Sequence, residues 1–239
     1  MITTNNGSYP WKESEAGREV ESLRRSLRPG ETPPDALRLA LDRTTRETID
    51  EQVHAGIDLV TDGLVRRDDP LALVASRLGG IVPGEMRRGF PGSGAAYVVP
   101  IVEAEVGWKM PIQSEDFLFA SQGGAKPVKP VIPGPYTIAR LAEDRAYGDP
   151  MALATGLAAA LNQELRALQA AGATFIQVDE PALLQHKEDF PLFTRIWEVL
   201  GRGVSSVLSL HLEGGDIEGL YPGITRLKRL GCLSLDCVA

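Results

Sequence analysis

Residues 153–184 read LATGLAAALNQELRALQAAGATFIQVDEPALL, and this stretch contains the unit from which the fold class follows. Its leucines recur every three or four residues, which predicts a helix with one buried face, at Leu153, Leu157, Leu161, Leu165 and Leu168. Ala171-Gly172 is typical of a helix end. The short apolar run 175–178 then predicts a buried strand, and Asp179-Glu180 follows it directly.

The same order of helix, glycine, apolar strand and acid occurs at two other places in the chain. In the first copy, a helical pattern from Leu37 to Val53 stops at Gly56, and the run 57–60 leads into Thr61-Asp62-Gly63. In the third copy, Ile224, Leu227 and Leu230 precede Gly231, and residues 232–235 lead into Asp236. Short apolar strands separated by helices predict a parallel sheet that is covered on both faces. Each acid then lies at the carboxyl end of a strand, where α/β enzymes place their chemistry.

Four further segments complete a set of seven predicted strands that alternate with helices: 2–4, 97–103, 128–132 and 207–211. Residues 79–94 are rich in Gly, Pro and Arg, and we expect a long loop there. We predict a single catalytic-type (β/α)-barrel domain over residues 1–239. A closed barrel of this type needs eight strands, so we expect a fragment or a gap that a neighbouring chain fills. An open doubly wound sheet is the alternative, although the first turn lacks a Gly-x-Gly-x-x-Gly pattern.

The composition excludes several classes of protein. The net charge of −7, with no block of basic residues, argues against nucleic-acid binding. No stretch approaches ~18 apolar residues, and the first residues do not form a signal peptide, so we expect a soluble cytoplasmic protein without a membrane span. Two cysteines, Cys232 and Cys237, are too few for a disulfide scaffold and read most simply as small buried hydrophobes. The oligomeric state stays open, a homo-oligomer included.

Several motifs together resemble the catalytic barrel of the cobalamin-independent methionine synthase family. They run in the family order, from the first residues to about Asp236: Gly7-Ser8-Tyr9-Pro10 after Thr3-Thr4, Thr61-Asp62-Gly63 with Arg67 and Asp69, Gly134-Pro135-Tyr136-Thr137, and Ile176 to Leu183. The stretch Asp-Glu-Pro-Ala-Leu within the last motif is the most specific. The wider superfamily includes the uroporphyrinogen decarboxylase barrels and other transferases that alkylate thiols.

This resemblance implies a TIM-type barrel and a zinc-dependent methyl transfer to a thiol such as homocysteine. The thiolate is the nucleophile in such a reaction, and zinc lowers the pKa of the thiol that it binds. The resemblance also implies a methyl donor of the folate type or a related one. The expected partners are therefore a small thiol substrate and a methyl donor.

Residue by residue, the carry-over is partial. The resemblance implies metal ligands at His211, at Glu213 in place of a family cysteine, and at Asp236 in place of a glutamate, with the last family cysteine beyond Ala239. It implies substrate contacts at Gly7, Ser8, Asp62, Asp179 and Glu180, with Asp179 also as the catalytic carboxylate. Leu64 stands where the family has a glutamate that contacts the amino acid substrate.

Each of these residues also has a simpler interpretation. His211 fits a hydrogen-bonded histidine at a strand end, and Asp179 and Glu180 fit caps of the following helix, with Pro181 in its first turn. Glu180 is as well explained by a structural role, paired with a basic group. Asp62-Gly63 and Gly7-Ser8 fit ordinary turns, and residues 66–69 fit a solvated patch of ion pairs.

The leading hypothesis is a methyltransferase of the methionine synthase type. Two rivals stay open: a diverged barrel enzyme of the decarboxylase or alkyltransferase kind with another substrate, and a degenerate paralogue that binds a small molecule without turnover. A His, Glu and Asp set is chemically competent to bind zinc, but its carboxylates donate less charge than thiolates, so a bound thiolate would be less nucleophilic.

Overall fold

The computed structural model describes residues 1–27, 32–67 and 69–236. In these ranges the α-helices are α1 (Glu15–Ser26), α2 (Asp35–His54), α3 (Pro70–Arg77), α4 (Ser114–Ser121), α5 (Pro135–Leu141), α6 (Pro150–Ala170), α7 (Ala182–Gln185) and α8 (Phe190–Leu200). The strands are β1 (Leu78–Arg88), β2 (Ala96–Trp108), β3 (Val131–Pro133), β4 (Glu143–Asp144), β5 (Phe175–Asp179), β6 (Val207–Leu212) and β7 (Leu230–Leu235). No described helix is both long enough and apolar enough to cross a bilayer.

The chain forms two compact units, Met1–Asp68 with Asp116–Pro130, and Asp69–Glu115 with Val131–Ala239. In the first unit, α1 and α2 enclose a small core that includes Trp11, Val20 and Leu37. Parallel bridges join Thr4 to Leu59 and Val60 to Val128. The strands expected at 2–4 and 57–60 are therefore parallel as predicted, but each is reduced to isolated bridges.

A four-stranded parallel sheet in the order β3-β5-β6-β7 forms the centre of the second unit. Strands β3, β5 and β6 are covered on both faces, because adjacent residues such as Ile176 and Gln177, which point to opposite faces, are both buried, whereas β7 is partly exposed. This explains why these strands read as short continuous runs of residues rather than as an apolar–polar alternation. The predicted α/β fold of TIM type is confirmed, and among the described residues the barrel is not closed.

Helix α6 and strand β5 form the predicted helix–glycine–strand unit. All five leucines of the α6 face are at most 1% exposed. The helix begins at Asp149, whose carboxylate accepts a hydrogen bond from Met151 N at 3.0 Å, and Pro150 occupies the first turn. Gly172 follows the helix end with φ +102°, a conformation that favours glycine.

The third copy of the unit departs from the prediction. The segment expected as a helix is a single 3₁₀ turn, Gly223–Arg226, because Leu227 turns to extended backbone (ψ 129°) and β7 begins three residues later. Ile224 and Leu227 are nevertheless buried, as their apolar character predicted. One 3₁₀ turn is enough to bring both side chains to the core.

Residues 79–94 were expected to form a long loop, and this prediction was wrong. They contain most of β1, which pairs antiparallel with β2, so the segment 97–103 is a strand but belongs to a hairpin outside the parallel sheet. The hairpin accommodates Gly and Pro through two irregularities of register, between Gly79 and Ile81 and between Pro83 and Met86. Pro83 lies opposite Pro100 in the β1–β2 ladder. Proline has no backbone N–H, so pairing the two prolines places both missing donors at one position of the ladder.

The buried face of α6 generates a test of the packing. We expect Leu161→Ala to lower the free energy of unfolding by about 2–5 kcal/mol, because Leu161 is fully buried and its removal leaves a cavity. Leu39→Ala is the matched control, since Leu39 lies in α2 and is 58% exposed, and we expect a change within about 0.5 kcal/mol. Urea denaturation measures both variants, and equal losses would contradict the assigned helix face.

Candidate functional site

The carboxyl ends of β5, β6 and β7 bring polar residues into register. Asp179 lies opposite His211 across the β5–β6 ladder, and His211 lies opposite Ser234 across the β6–β7 ladder. The ladder continues past both strands, because Glu180 N donates to His211 O at 2.9 Å and Asp236 N donates to Leu212 O at 3.1 Å. Three neighbouring strands therefore end at one edge of this sheet.

His211 is oriented by its neighbours on both sides of the ring. Its side chain is 6% exposed, Nδ1 lies 2.9 Å from Ser234 Oγ, and Nε2 lies 3.7 Å from Glu213 Oε2. A hydrogen bond at one ring nitrogen fixes which nitrogen faces a ligand. Nε2 and the Glu213 carboxylate therefore face each other at the end of β6. The bond to Ser234 also fits the simpler interpretation of His211 as a hydrogen-bonded histidine at a strand end.

The His211–Glu213 pair has the spacing of two ligands on one zinc ion, but among the residues that the structure describes a third ligand is not close by. Two ligand atoms on one tetrahedral zinc, each at about 2.0–2.1 Å, lie roughly 3.4 Å apart, so the His211–Glu213 spacing suits two ligands. A catalytic zinc takes three protein ligands. Within the described ranges, however, no group of three or more His, Cys, Asp or Glu side chains is close enough to hold a metal. Asp236, the predicted third ligand, is exposed at the end of β7, and Cys237 lies outside the described residues.

Glu180 is a fully buried carboxylate that caps α5. Its oxygens accept hydrogen bonds from Tyr136 N at 3.0 Å and Thr137 N at 2.7 Å. A carboxylate is favourable there, because the first N–H groups of a helix have no partner within the helix. Backbone N–H groups thus take the place of the expected basic partner. Glu180 caps α5 rather than the following helix α7, whose N-cap residue is Pro181 and which has no side-chain cap.

The approach of Glu180 explains why glycine precedes Pro135. A Cβ on Gly134 would lie 2.0 Å from Glu180 Cδ, so no larger residue fits without a shift of the backbone. The pKa of Glu180 is raised to about 7, mainly by burial and to a smaller extent by the nearby Asp179, against the lowering effect of the hydrogen bonds from Thr137 and Tyr136. The Gly-Pro-Tyr-Thr turn and the Asp-Glu pair are therefore two parts of one structural element.

Asp179 is partly exposed, and a buried residue of the same strand holds its carboxylate. Gln177, which is 1% exposed, donates from Nε2 to Asp179 Oδ1 at 2.7 Å. The Asp179 carbonyl accepts a hydrogen bond from Gly134 N at 2.8 Å, which ties the end of β5 to that of β3. The carboxylate is thus held at the edge of the sheet, in a position suited to a cationic group of a ligand.

In the first unit, Asp62 is buried and organises its own turn. Its Oδ1 accepts from Leu64 N at 3.1 Å, and its Oδ2 lies 3.5 Å from Arg67 Nη2. Leu64 has φ +56°, a conformation that is uncommon for residues other than glycine. The solvated patch expected at 66–69 was wrong, because Arg67 is buried in this pair and Asp69 caps α3; Asp68 lies outside the described residues.

Gly7 is buried with φ +123°, and its carbonyl accepts from Thr61 Oγ1 at 3.0 Å, whereas Ser8 is exposed. The segment is fixed by two polar residues that the sequence analysis did not single out. Gln52, inside α2, bonds both the N–H and the carbonyl of Thr61, and Lys129 donates from Nζ to Asn5 O at 2.6 Å. A glutamine on the apolar face of the predicted helix was the available signal for the first of them.

A family model described as the catalytic domain of cobalamin-independent synthase matches residues 1–197. The methionine synthase of Saccharolobus solfataricus is 32% identical over 233 residues, which cover 95% of this chain and 67% of that protein. The Sulfurisphaera tokodaii protein of the same name is also 32% identical, with 66% of its length covered.

The chain belongs to the cobalamin-independent methionine synthase family. Among solved structures, a B12-independent methionine synthase from Shewanella sp. W3-18-1 in complex with selenomethionine is 25% identical with a TM-score of 0.72, over 88% of this chain and 60% of that one. A putative vitamin-B12 independent methionine synthase from Listeria monocytogenes has a TM-score of 0.73 at 16% identity, over 98% of this chain and 81% of that one, which supports the fold. The chain thus spans about two thirds of the curated relatives' length.

Membership confirms the family that the sequence motifs indicated. It also supports, at the level of the family, the prediction of a methyltransferase of the methionine synthase type with a TIM-type fold. The family is zinc-dependent, whereas no three His, Cys, Asp or Glu side chains among the described residues lie close enough together to hold a metal.

The buried Glu180 carboxylate predicts a pH dependence of stability. A carboxyl group with a raised pKa in the folded state stabilises the fold in its protonated form, so this contribution is complete below its unfolded value of 4.5 and is lost as pH rises through about 7. We therefore expect the free energy of unfolding to fall between pH 5 and pH 8 by up to about 3 kcal/mol more in the wild type than in Glu180→Gln.

Urea denaturation across this pH range measures the difference. Glu218→Gln is the control, since Glu218 is exposed, and it should follow the wild-type pH profile. A constant difference between wild type and Glu180→Gln from pH 5 to pH 8 would contradict the assigned protonation of Glu180.

Proposed function

We propose that this chain transfers a methyl group from methyl-folate or a related donor to the thiol of an amino acid of the homocysteine type. The observation that carries the proposal is the edge of the parallel sheet, where His211 Nε2 faces Glu213 and Asp179 occupies the neighbouring strand. Family membership supports the reaction class. The arrangement offers separate groups for a metal-bound thiol and for a substrate ammonium.

We propose His211 and Glu213 as two zinc ligands and Asp236 as a third. Zinc, when bound, supplies a Lewis acid that lowers the pKa of the substrate thiol and so provides a thiolate at neutral pH. Ser234 holds the His211 ring so that Nε2 faces the ligand position. Glu213, where the family resemblance implies cysteine, gives a harder donor set and a less nucleophilic thiolate.

We propose that Asp179 binds the ammonium group of the amino acid substrate. Its carboxylate is held by Gln177 and is accessible at the end of β5. The Shewanella relative is described in complex with selenomethionine, an amino acid with the same ammonium group, which supports this substrate class. Glu180 lies within the cap of α5, so we propose that it acts on the substrate only by holding the turn 134–137 next to Asp179.

Gly7, Ser8 and Asp62 are proposed as further substrate contacts on the strength of the family pattern. Ser8 is exposed, so its hydroxyl is accessible to a substrate carboxylate. Asp62 already accepts hydrogen bonds from Leu64 and Arg67, so we propose that it acts chiefly by shaping its turn. Leu64 replaces a charged family position with an apolar one and is expected to alter the contact with the substrate.

A binding paralogue without turnover is the second candidate function. The favouring observation is that no three His, Cys, Asp or Glu side chains among the described residues lie close enough together to hold a metal. A protein of this kind would bind the amino acid through Asp179 but would give no methylated product. A diverged barrel enzyme with another substrate would likewise fail to methylate homocysteine.

Metal analysis with a methyl-transfer assay separates these functions. We expect about one zinc per wild-type chain, loss of zinc and activity in His211→Ala, and neither loss in His54→Ala, because His54 is exposed at the end of α2. In Asp179→Asn we expect zinc to be retained and the KM for homocysteine to rise by about 10- to 100-fold, since a charge-assisted hydrogen bond is lost.

The assay uses homocysteine with methyl-folate and, separately, with a methyl-corrinoid donor. Equal zinc content in wild type and His211→Ala would contradict the proposed ligand. No product with either donor from zinc-loaded protein would favour the binding paralogue or the diverged enzyme.

A further inference from the structure

Gln52 is a buried polar residue inside α2 whose side-chain amide uses all of its bonding capacity. Its Oε1 accepts hydrogen bonds from Asn5 Nδ2 at 2.6 Å and from Thr61 N at 2.9 Å. Its Nε2 donates to Thr48 O and to Thr61 O, both at 2.9 Å. A glutamine amide has two donors and an oxygen with two lone pairs, so all four positions are occupied. Gln52 is 1% exposed, and an unmade hydrogen bond is costly at a site so far from water.

These bonds connect two turns of the first unit, the first turn (residues 5–8) and the second turn (residues 61–63). The parallel backbone pairing of the segments that lead into them is an isolated bridge. Beyond that bridge, Thr61 Oγ1 lies 3.0 Å from both Asn5 Oδ1 and Gly7 O, and Gly7 N donates to Asn5 Oδ1 at 3.0 Å. A network of side chains therefore holds the first turn against the second.

The packing around Gly63 brings the same elements together. A Cβ on Gly63 would lie 2.6 Å from Thr48 Cγ2, on α2, and 3.0 Å from Tyr9 Cβ, which follows the first turn. Gly63 has φ +68°, a conformation that favours glycine. The second turn thus lies directly against the helix that carries Gln52, so this helix is a fixed support for both turns.

We propose that Gln52 is a positioning residue of the substrate site, which fixes the first turn relative to the second without touching the substrate itself. The first turn carries Gly7 and Ser8, and the second carries Asp62. A ligand that contacts two turns binds well only when their relative position is set in advance, because ordering them on binding costs free energy. This inference rests on the proposed function in that these three residues are taken as substrate contacts.

Two substitutions separate the loss of these bonds from the burial of a charge. Gln52→Met keeps the length of the side chain and removes all four bonds, whereas Gln52→Glu places carboxylate oxygens against two carbonyl oxygens. Thr44→Val is the matched control, because Thr44 is 1% exposed in the same helix and its hydroxyl donates to Ala40 O within that helix. The control therefore removes a buried bond of α2 without affecting either turn.

The test measures the dissociation constant of L-methionine for the full chain by calorimetry. Methionine carries the same ammonium and carboxylate as homocysteine and has no thiol, so its binding needs no metal-bound thiolate. We expect both Gln52 variants to weaken binding by about 10- to 100-fold, as displaced binding groups do, and Thr44→Val to stay within about twofold of wild type. A merely structural role would lower melting temperatures but leave the dissociation constants of the folded proteins alike. Equal constants for wild type and Gln52→Met, or weaker binding in Gln52→Glu alone, would overturn the inference.

Asn5→Ala provides a second variant if the Gln52 variants do not fold. Asn5 is only partly buried, and its side chain is the link between Gln52 and Gly7. We expect Asn5→Ala to weaken methionine binding by about 10-fold, because the first turn loses its connection to α2. Binding equal to that of the wild type would overturn the inference.

Amide hydrogen exchange distinguishes a failure of the inference from a failure of the proposed function. A wild type that binds no methionine would refute the proposed substrate class, and exchange at Gly7 N and Thr61 N would then decide whether Gln52 holds the two turns. We expect Gln52→Met to speed exchange at both amides by about 10-fold, Asn5→Ala to do so at Gly7 N, and Thr44→Val to change neither. Unchanged exchange at these amides in the folded Gln52→Met and Asn5→Ala variants would overturn the inference.

Discussion

The candidate site depends on the parallel hydrogen-bond register between β5 and β6. This register sets Asp179 opposite His211, and the bond from Glu180 N to His211 O extends it past the strand ends. A shift of one residue would turn each of these side chains to the other face of the sheet. Asp179 and His211 therefore face the same ligand position only in this register.

Buried polar contacts stabilise that alignment where apolar packing cannot. Glu180 caps α5, Gln177 holds Asp179, and Ser234 holds His211. The first contact joins the end of β5 to the helix that follows β3, the second lies within β5, and the third joins β6 to β7. The site is therefore preorganised by the residues beneath it, which is the arrangement that binding and catalysis require.

The sequence predicted the parts of the fold that depend on local patterns. The leucine face of α6, the glycine after it and the acid after β5 are specified by adjacent residues, and all appear in the structure. The hairpin of β1 was missed because its glycines and prolines indicate a loop, whereas the antiparallel partner that accommodates them lies elsewhere in the chain. The 3₁₀ turn at 223–226 was missed because apolar spacing alone does not distinguish one turn from a helix.

The candidate site was predictable by residue type but not by contact. The resemblance pointed to His211, Glu213 and Asp179, yet no local pattern tells that Glu180 binds the N-terminus of α5 or that Gly92 lies against Glu213. These contacts join residues 43 to 121 positions apart, and only the folded chain brings them together. A glycine in a loop does not reveal, from the sequence alone, which distant side chain packs against it.

The most direct test of this account is a crystal structure of the zinc-loaded protein with anomalous scattering recorded at the zinc absorption edge. The account predicts a zinc peak about 2.0–2.2 Å from both His211 Nε2 and a Glu213 carboxylate oxygen, at the edge of the sheet that also carries Asp179. A zinc peak on other residues, with His211 bonded only to Ser234, would contradict it.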